Sequence, residues 1–157
     1  MFLMLHMAFC QFDRSKCEYK DANGNVFDLK SLEKSDYWKV RDIYSDSSMF
    51  AVVYLFNFCK NVAKETCHGQ SAASLEILEV FGQHTDNCEI NGKSDFDVIS
   101  PIDQHHASKG LMIKYTHGDI CTTSDIAHDI HQPKKTTFII NCATTQESNF
   151  VQSKSSE

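Results

Sequence analysis

Histidine and aspartate side chains are the residues of this sequence that could hold a metal ion. His128 and His131 stand three positions apart, so in a helix they would share a face, as zinc ligands often do. Pro133 follows closely, however, and no acidic or cysteine partner has a recognised spacing. We interpret these histidines as solvated loop residues, together with His105, His106 and His117.

Three aspartates offer the oxygen ligands that calcium prefers, and carboxylates can also act as acid and base. Asp95, Asp97 and Asp103 nevertheless lie in a polar stretch that lacks the ligand rhythm of a calcium-binding loop. We interpret this stretch as a solvated acidic loop. The sequence thus predicts no metal ion and no other cofactor.

Seven cysteines are many for a chain of 157 residues, and no two of them have C-x-x-C spacing. His68 follows Cys67, but no nucleophile motif surrounds any cysteine, and the chain has no G-x-x-x-x-G-K-[ST] phosphate loop. Isolated cysteines of this kind indicate disulfide partners in an oxidising compartment rather than a zinc cage. We therefore predict a disulfide-linked protein that is not an enzyme.

Charge and hydrophobicity restrict the partners further. The net charge is −6, and the largest basic cluster is the pair Lys134 and Lys135. Binding to nucleic acid needs several cations on one surface, so we exclude nucleic acid and the membrane surface as partners. Residues 1–11 are apolar enough to be a short signal peptide or a first β-strand. No other segment approaches the roughly 20 apolar residues that span a bilayer, which predicts no transmembrane segment in this chain.

The elements that would position these residues are mainly β-strands. Residues 50–59 form the clearest strand. One face carries Phe50, Val52, Tyr54, Phe56 and Phe58, and the other carries Ala51, Val53, Leu55, Asn57 and Cys59. Apolar residues on both faces predict a strand that is covered on both sides, as in a sandwich or flattened barrel. We expect the alternating aromatic side chains to be core residues rather than a ligand-stacking platform.

Weaker signals extend this β pattern along the chain, which at 157 residues is long enough for one domain with a buried core. A turn at residues 21–25 predicts a hairpin between residues 17–19 and 26–29, and residues 111–115 and 136–142 predict two more strands. Residues 60–66 could form a short helix, and residues 72–81 fit a helix or a strand. We expect mostly loop at residues 85–109 and a disordered polar tail at residues 143–157.

The order and spacing of these segments resemble the mannose 6-phosphate receptor homology domain, and the resemblance spans residues 17–142. The matching pieces, in chain order, are Cys17, the hairpin Gly24…Phe27-Asp28-Leu29…Leu32, the run Tyr37-Trp38-Lys39-Val40, Phe56-Asn57-Phe58-Cys59, Cys67, Tyr115-x-x-Gly118-Asp119-x-Cys121 and Thr137-x-Ile139-x-Asn141-Cys142. The resemblance implies a disulfide-stapled flattened β-barrel or sandwich.

The resemblance also implies a disulfide framework. Cys17 would pair with Cys59, and Cys67 with a cysteine in the next segment, for which Cys88 is the candidate. In the family, the equivalents of Cys121 and Cys142 normally pair with two further cysteines beyond the second of them. The sequence has no cysteine after Cys142, so these two either join each other or stay free.

The sugar site of that family uses a glutamine, an arginine, a glutamate and a tyrosine. Lys134 and Lys135 stand in the place of the arginine, and Gln70 and Glu76 are the two candidates for the glutamine. The glutamate and tyrosine would follow Cys142, where this chain has its polar tail. A lysine lacks the rigid fork of an arginine. The resemblance therefore implies a degraded or incomplete sugar site.

For function, the resemblance implies a non-enzymatic lectin-like module. Its partners would be mannose-containing N-glycans or mannose 6-phosphate on glycoproteins, in lysosomal sorting or in quality control in the endoplasmic reticulum. The expected location is the secretory and endomembrane pathway, namely the endoplasmic reticulum, Golgi or lysosome, or outside the cell. The alternative is a carbohydrate-silent scaffold of the same fold that holds a protein partner.

Overall fold

The protein is described by a computed structural model that covers residues 11–42, 49–122 and 131–142. Those residues form an all-β fold, as the sequence predicts, with two short 3-10 helices at Lys30–Leu32 and Ala107–Lys109. The strands, in chain order, are β1 Gln11–Asp13, β2 Glu18–Lys20, β3 Val26–Asp28, β4 Trp38–Arg41, β5 Phe50–Phe56, β6 Ser74–Val80, β7 Gln83–Pro101, β8 Leu111–Thr116, β9 Ile120–Thr122, β10 His131–Pro133 and β11 Thr136–Ile140.

One antiparallel sheet of six strands dominates the fold, in the order β11-β8-β7-β6-β5-β4. The sheet curls into half a barrel, and its longest strand, β7, pairs with β6 through its first half and with β8 through its second half. Two smaller sheets, β1-β2-β3 and β9-β10, complete the described part of the chain. Within these residues, no helix is long and apolar enough to cross a membrane.

The predicted hairpin between β2 and β3 is confirmed, and its turn is held by one aspartate. Asp21 accepts hydrogen bonds from the backbone N–H groups of Asn23 and Asn25, at 2.9 and 2.8 Å, and from the Asn25 side-chain amide at 2.7 Å. Gly24 adopts a φ of 88°, which glycine reaches without the steric cost of a side chain. The local sequence therefore determines this turn.

Strand β7 corrects the largest error of the sequence interpretation, which expected mostly loop from residue 85 to residue 109. Its first half, residues 83–92, contains two apolar side chains, Cys88 and Ile90, and the apolar residues Phe96, Val98 and Ile99 come only near its end. Such a sequence does not identify a strand by its hydrophobicity, but β7 pairs with β6 through its first half and with β8 through its second half, and these hydrogen bonds satisfy backbone groups along its length. Within the expected loop, only the last part, residues 102–109, lacks strand structure.

The structure also settles the secondary structure of two shorter segments. Residues 72–81, which fit either a helix or a strand, contribute β6 at Ser74–Val80. Residues 60–66, which could have formed a short helix, are bends and irregular backbone. Residues 1–10 of the possible signal peptide at residues 1–11, the tail at residues 143–157 and His128 lie outside the described residues, so the predictions made for them stay predictions.

The two faces of the central sheet carry different cores. On one face, an aliphatic cluster contains the buried side chains of β5, β6 and β7 and is covered by the segment between residues 60 and 72; its members are Ala51, Val53, Leu55, Val62, Cys67, Ala72, Leu75, Ile77, Cys88 and Ile90. Tyr37 is partly buried and packs against this cluster. The β5 positions of this face, Ala51, Val53 and Leu55, are all buried.

On the other face, an aromatic cluster is built around Phe56, Phe58, Tyr115 and Phe138. The Phe138 ring centroid lies 4.7 Å from that of Phe56, 5.1 Å from that of Phe58 and 5.9 Å from that of Tyr115. The first hairpin closes this cluster through Tyr19 and Leu29. Burial of Phe56 and Phe58 confirms part of the aromatic core prediction. That prediction is wrong for Phe50, whose surface is 49% exposed at the opposite end of β5.

Each cluster contains one disulfide. Cys17 bonds to Cys59 in the aromatic cluster, and Cys67 bonds to Cys88 in the aliphatic cluster, which are the two pairs that the family resemblance implies. The sequence left open whether Cys121 and Cys142 join each other, and the structure leaves both as free thiols.

The strand register explains why these two thiols do not meet. Ile140 pairs with Leu111, so Cys142 follows one end of β8, whereas Cys121 lies in β9 beyond the other end of β8. At roughly 3.3 Å per residue, the six residues of β8 separate its ends by about 17 Å. A disulfide requires Cα atoms only about 4.4 to 6.8 Å apart.

Candidate ligand-binding site

A small cavity opens on the sheet face that carries the aromatic cluster, near the end of the sheet that this cluster does not cover. Its volume is about 130 Å³, and it is lined by Val52, Glu76, Leu78, Asn87, Cys88 and Glu89. Cross-strand pairing brings these residues together from β5, β6 and β7, because Val52 pairs with Leu78 and Glu76 pairs with Glu89. The lining thus combines an aliphatic part with carboxylate and amide groups.

Lys134, in the connection between β10 and β11, contacts two of the residues that line this cavity. Its Nζ atom lies 3.4 Å from a carboxylate oxygen of Glu76 and forms a second ion pair with Glu89. The backbone of Lys134 is fixed as well, because its N–H donates to the carbonyl of Asp119 and its carbonyl accepts from the N–H of Gly118. Lys134 is therefore positioned from both its backbone and its ammonium group.

Burial and ion pairing act on Lys134 in opposite directions. Burial alone would lower the pKa of the ammonium group, because it disfavours the charged form. The hydrogen bond to Glu89 and the negative charges of Glu76 and Glu89 outweigh burial and raise the pKa of Lys134 above its usual value. Lys134 is therefore a cation throughout the physiological pH range.

A close approach of backbones sets the position of the connection that carries Lys134. A Cβ atom on Gly118 would come within 2.4 Å of the carbonyl oxygen of Ile90 and 2.8 Å of that of Lys134. Asp119 then accepts a 2.7 Å hydrogen bond from the N–H of Ile90 through its side chain. The Gly118-Asp119 sequence, which the family resemblance singled out, thus fastens this connection to β7.

The structure brings two of the four sequence-predicted site residues together, namely Glu76 and Lys134. Gln70 lies instead in the exposed turn that follows Cys67, within the segment that covers the aliphatic face of the sheet. Lys135 is exposed, whereas only 19% of the Lys134 side chain is accessible. These positions favour Glu76 over Gln70, and Lys134 over Lys135, as members of one site.

Sequence reasoning missed Glu89 and Asn87 as neighbours of that site. Both belong to β7, which was expected to be a loop, so their side chains had no predicted face. The alternation of polar Asn87 and Glu89 with apolar Cys88 and Ile90 is the sequence signal that could have placed them.

The other described candidate residues are not among those that line the cavity, and Asp103 and His117 contact residues close to them in the sequence. Asp103 lies 2.7 Å from Lys109 Nζ and 3.0 Å from His106 Nδ1, and hydrogen bonds from Lys109, the His105 backbone and His106 hold its pKa well below the usual range. His117 contacts Thr116 at 2.8 Å, and Asp95 is exposed on β7. The side chains of Asp97 and His131 lie outside the described part.

One further group has the composition of a metal site. Ligand atoms of Cys67, His68 and Cys88 lie within 4.8 Å of one another. Both sulfur atoms, however, belong to the Cys67–Cys88 disulfide, and a metal-ligating cysteine must be a thiolate. In the disulfide-bonded protein, this group therefore supplies only His68 as a ligand.

An antiparallel sheet curled into half a barrel and fastened by two disulfides is a fold of the mannose 6-phosphate receptor type. Residues 2–122 match the family model described as the cation-independent mannose-6-phosphate receptor repeat, and the chain therefore belongs to this family. The human cation-independent mannose-6-phosphate receptor is 29% identical to the chain over 141 residues. That alignment covers 86% of this chain but only 5% of the receptor.

Proposed function

We propose that this chain is a non-enzymatic lectin-like module that binds mannose-bearing glycans at the cavity beneath Lys134. The observation that carries the proposal is the ion pair between Glu76 and Lys134, because both residues occupy positions that the family resemblance implies for sugar contacts. They belong to segments 58 residues apart in the chain, so tertiary packing is needed to bring them together.

The chemistry of the cavity suits a sugar ring. The carboxylates of Glu76 and Glu89 can accept hydrogen bonds from adjacent hydroxyl groups, and the ammonium group of Lys134 can donate to a hydroxyl oxygen. Val52 and Leu78 offer an apolar surface to the C–H face of the ring. At about 130 Å³, the cavity is smaller than the roughly 300 to 1,000 Å³ of drug-sized ligand sites, so it fits one terminal sugar residue.

We further propose that the module works in the secretory and endomembrane pathway, in the sorting or quality control of glycoproteins. Two buried disulfides support this location, because such bonds persist in oxidising compartments and are rare in the cytosol. The family relationship supports the same pathway.

A specific observation favours a second candidate, the carbohydrate-silent scaffold. Lys134 already contacts two carboxylates, so a sugar must compete with ion pairs that exist without it. If that competition fails, the sheet and its disulfides would serve only to present a surface to a protein partner.

Titration of the oxidised protein with mannose and with high-mannose glycans separates the two candidates. Under the lectin proposal, binding occurs and Lys134→Ala weakens it at least about tenfold, the value of one charge-assisted hydrogen bond of roughly 1.5 kcal/mol. Lys135→Ala is the matched control, because it removes the same charge one residue away, and it should change the affinity less than twofold. Absence of binding by a folded sample would support the scaffold instead.

A further inference from the structure

The candidate site contains more negative than positive charge among the groups that contact one another. Glu76 on β6 and Glu89 on β7 stand directly opposite each other in the sheet. Like charges in this arrangement repel, and Lys134 reduces the repulsion by pairing with both carboxylates. Two carboxylates and one ammonium group leave this cluster with a net negative charge.

We infer that this site selects neutral mannose residues over mannose phosphates, and that Glu89 is the residue that determines this specificity. The inference rests on the proposed glycan-binding function and adds the class of sugar. Glu89 is suited to this role because half of its side chain, 48%, is accessible beside the cavity, so its charge faces an incoming ligand.

The physical reason is electrostatic repulsion at short range. A phosphate monoester carries a charge of about −1.5 to −2 at pH 7, whereas a mannose ring carries none. Near a protein surface, unit charges about 4 Å apart interact strongly, because the protein side of the cavity, which includes Val52 and Leu78, screens them less than bulk water does. A phosphate in this cavity would meet the carboxylates of Glu76 and Glu89 at that range.

Lys134 does not reverse this preference. Its ammonium group is already paired with two carboxylates, and a phosphate could recruit it only by breaking those pairs. A lysine also presents a point charge, without the planar fork with which an arginine grips two phosphate oxygens. The net effect we expect is an affinity for mannose at least about tenfold higher than for mannose 6-phosphate.

The test compares the two sugars in calorimetric titrations of the wild type and of Glu89→Gln. This substitution keeps the shape and a hydrogen-bond acceptor but removes one negative charge. We expect the ratio of mannose affinity to mannose 6-phosphate affinity to fall about tenfold or more, whatever happens to the absolute affinities. Glu18→Gln, on β2 in the N-terminal sheet, is the matched control and should leave the ratio unchanged.

A second measurement uses inorganic phosphate as a probe and does not depend on sugar binding. In NMR titrations, phosphate should leave the signals of residues 76, 89 and 134 unchanged in the wild type and should shift them in a Glu76→Gln, Glu89→Gln double variant. A wild-type shift at these residues in low millimolar phosphate would contradict the inference.

The outcomes of these titrations are distinguishable. If mannose binds and mannose 6-phosphate binds equally well or better, the inference is wrong while the proposed lectin function stands. If neither sugar binds a folded sample, the lectin function is wrong, and the selectivity that rests on it falls with it.

Discussion

The two faces of the central sheet differ in how far they are covered. On the aliphatic face, the β5 and β6 side chains are buried under the segment between residues 60 and 72, and even the charged Glu79 is only 7% exposed. On the edge strand β4, Lys39 and Arg41 of this face are exposed. The opposite face is buried at one end by the aromatic cluster, and burial decreases along β5 from Phe56 through Tyr54 to the exposed Phe50. The uncovered end of this face holds the cavity, the two carboxylates that line it and the Lys134 side chain that pairs with them.

This difference teaches that one strand sequence can serve stability and ligand access at once. On the aliphatic face, Glu76 and Glu89 would need ion-pair partners to offset the cost of desolvation, as Glu79 has there in Lys39. On the partly covered face they meet solvent, and the aromatic cluster at the other end keeps the same strands fixed. If this is right, substitutions in the two buried clusters should change the stability of the fold, whereas substitutions at the uncovered end should mainly change ligand binding.

Removal of the disulfides should have the largest effect on stability. The Cys17→Ala, Cys59→Ala variant opens a loop of 42 residues and should lose about 4 kcal/mol, whereas the Cys67→Ala, Cys88→Ala variant opens one of 21 residues and should lose about 3 kcal/mol. Urea unfolding of both variants measures the difference. A larger loss for the second pair would mean that the aliphatic face, rather than the aromatic cluster, dominates stability.

The matched control for that experiment uses the two free thiols. Cys121→Ser and Cys142→Ser remove sulfur atoms that form no disulfide among the described residues, so stability should change by less than about 0.5 kcal/mol. Reaction of the native protein with a thiol reagent should also label Cys142, which is exposed.

The substitution Asn57→Ala should have the next largest effect, about 3 kcal/mol. The Asn57 side chain is fully buried; its amide donates to the carbonyls of Lys34 and Asp36, and its oxygen accepts from the N–H groups of Lys34 and Phe58. Loss of the side chain leaves these backbone groups unsatisfied. Thermal and chemical unfolding measure the cost.

Asn61→Ala is the control for Asn57, because the Asn61 side chain accepts one described hydrogen bond, from Ser94 at 2.7 Å. It should cost about 1 kcal/mol or less. Equal costs at the two positions would show that the buried network at Asn57 does not hold the loop before β4.

Tyrosine hydroxyl groups allow a comparison of the two ends of the partly covered face. Tyr115→Phe removes a buried hydrogen bond of 3.0 Å to the carbonyl of Asn57 and should cost about 1 kcal/mol. Tyr54→Phe removes a longer contact, 3.4 Å from Asp42, at a half-buried position, and should cost less. The reverse order would contradict the gradient of burial along this face.

Acid should produce the smallest of these changes in stability. The group involved is Glu33, which pairs with Lys30 and with Lys60, the residue after Cys59. Hydrogen bonds from the side chains of Lys30 and Lys60 lower the pKa of Glu33. A lowered pKa in the folded state means that the stabilisation is complete above the unfolded pKa, near about 4.3, and is lost as the pH falls through the folded pKa. Glu33→Gln should therefore flatten the decline of stability below about pH 4.3, measured by urea unfolding at several pH values.

Much of the fold follows from local sequence signals. The turn chemistry of Asp21, Asn23 and Gly24 determines the first hairpin, and the alternation of Phe56 with Leu55 identifies β5 as a strand. The two disulfide pairs followed from the family resemblance, since spacing alone does not specify connectivity. Within the site, that resemblance pointed to Glu76 and Lys134, but also to Gln70 and Lys135.

The sequence by itself determined the all-β class, the first hairpin and the strongly alternating strands, because turns and alternation are properties of adjacent residues. Tertiary structure alone decided that polar β7 is a strand, that Lys134 meets Glu76 and Glu89, and that Cys121 and Cys142 lie at opposite ends of β8. These features depend on which strands become neighbours and in what register. That choice is made by burial of the two clusters over the whole sheet rather than by any short segment.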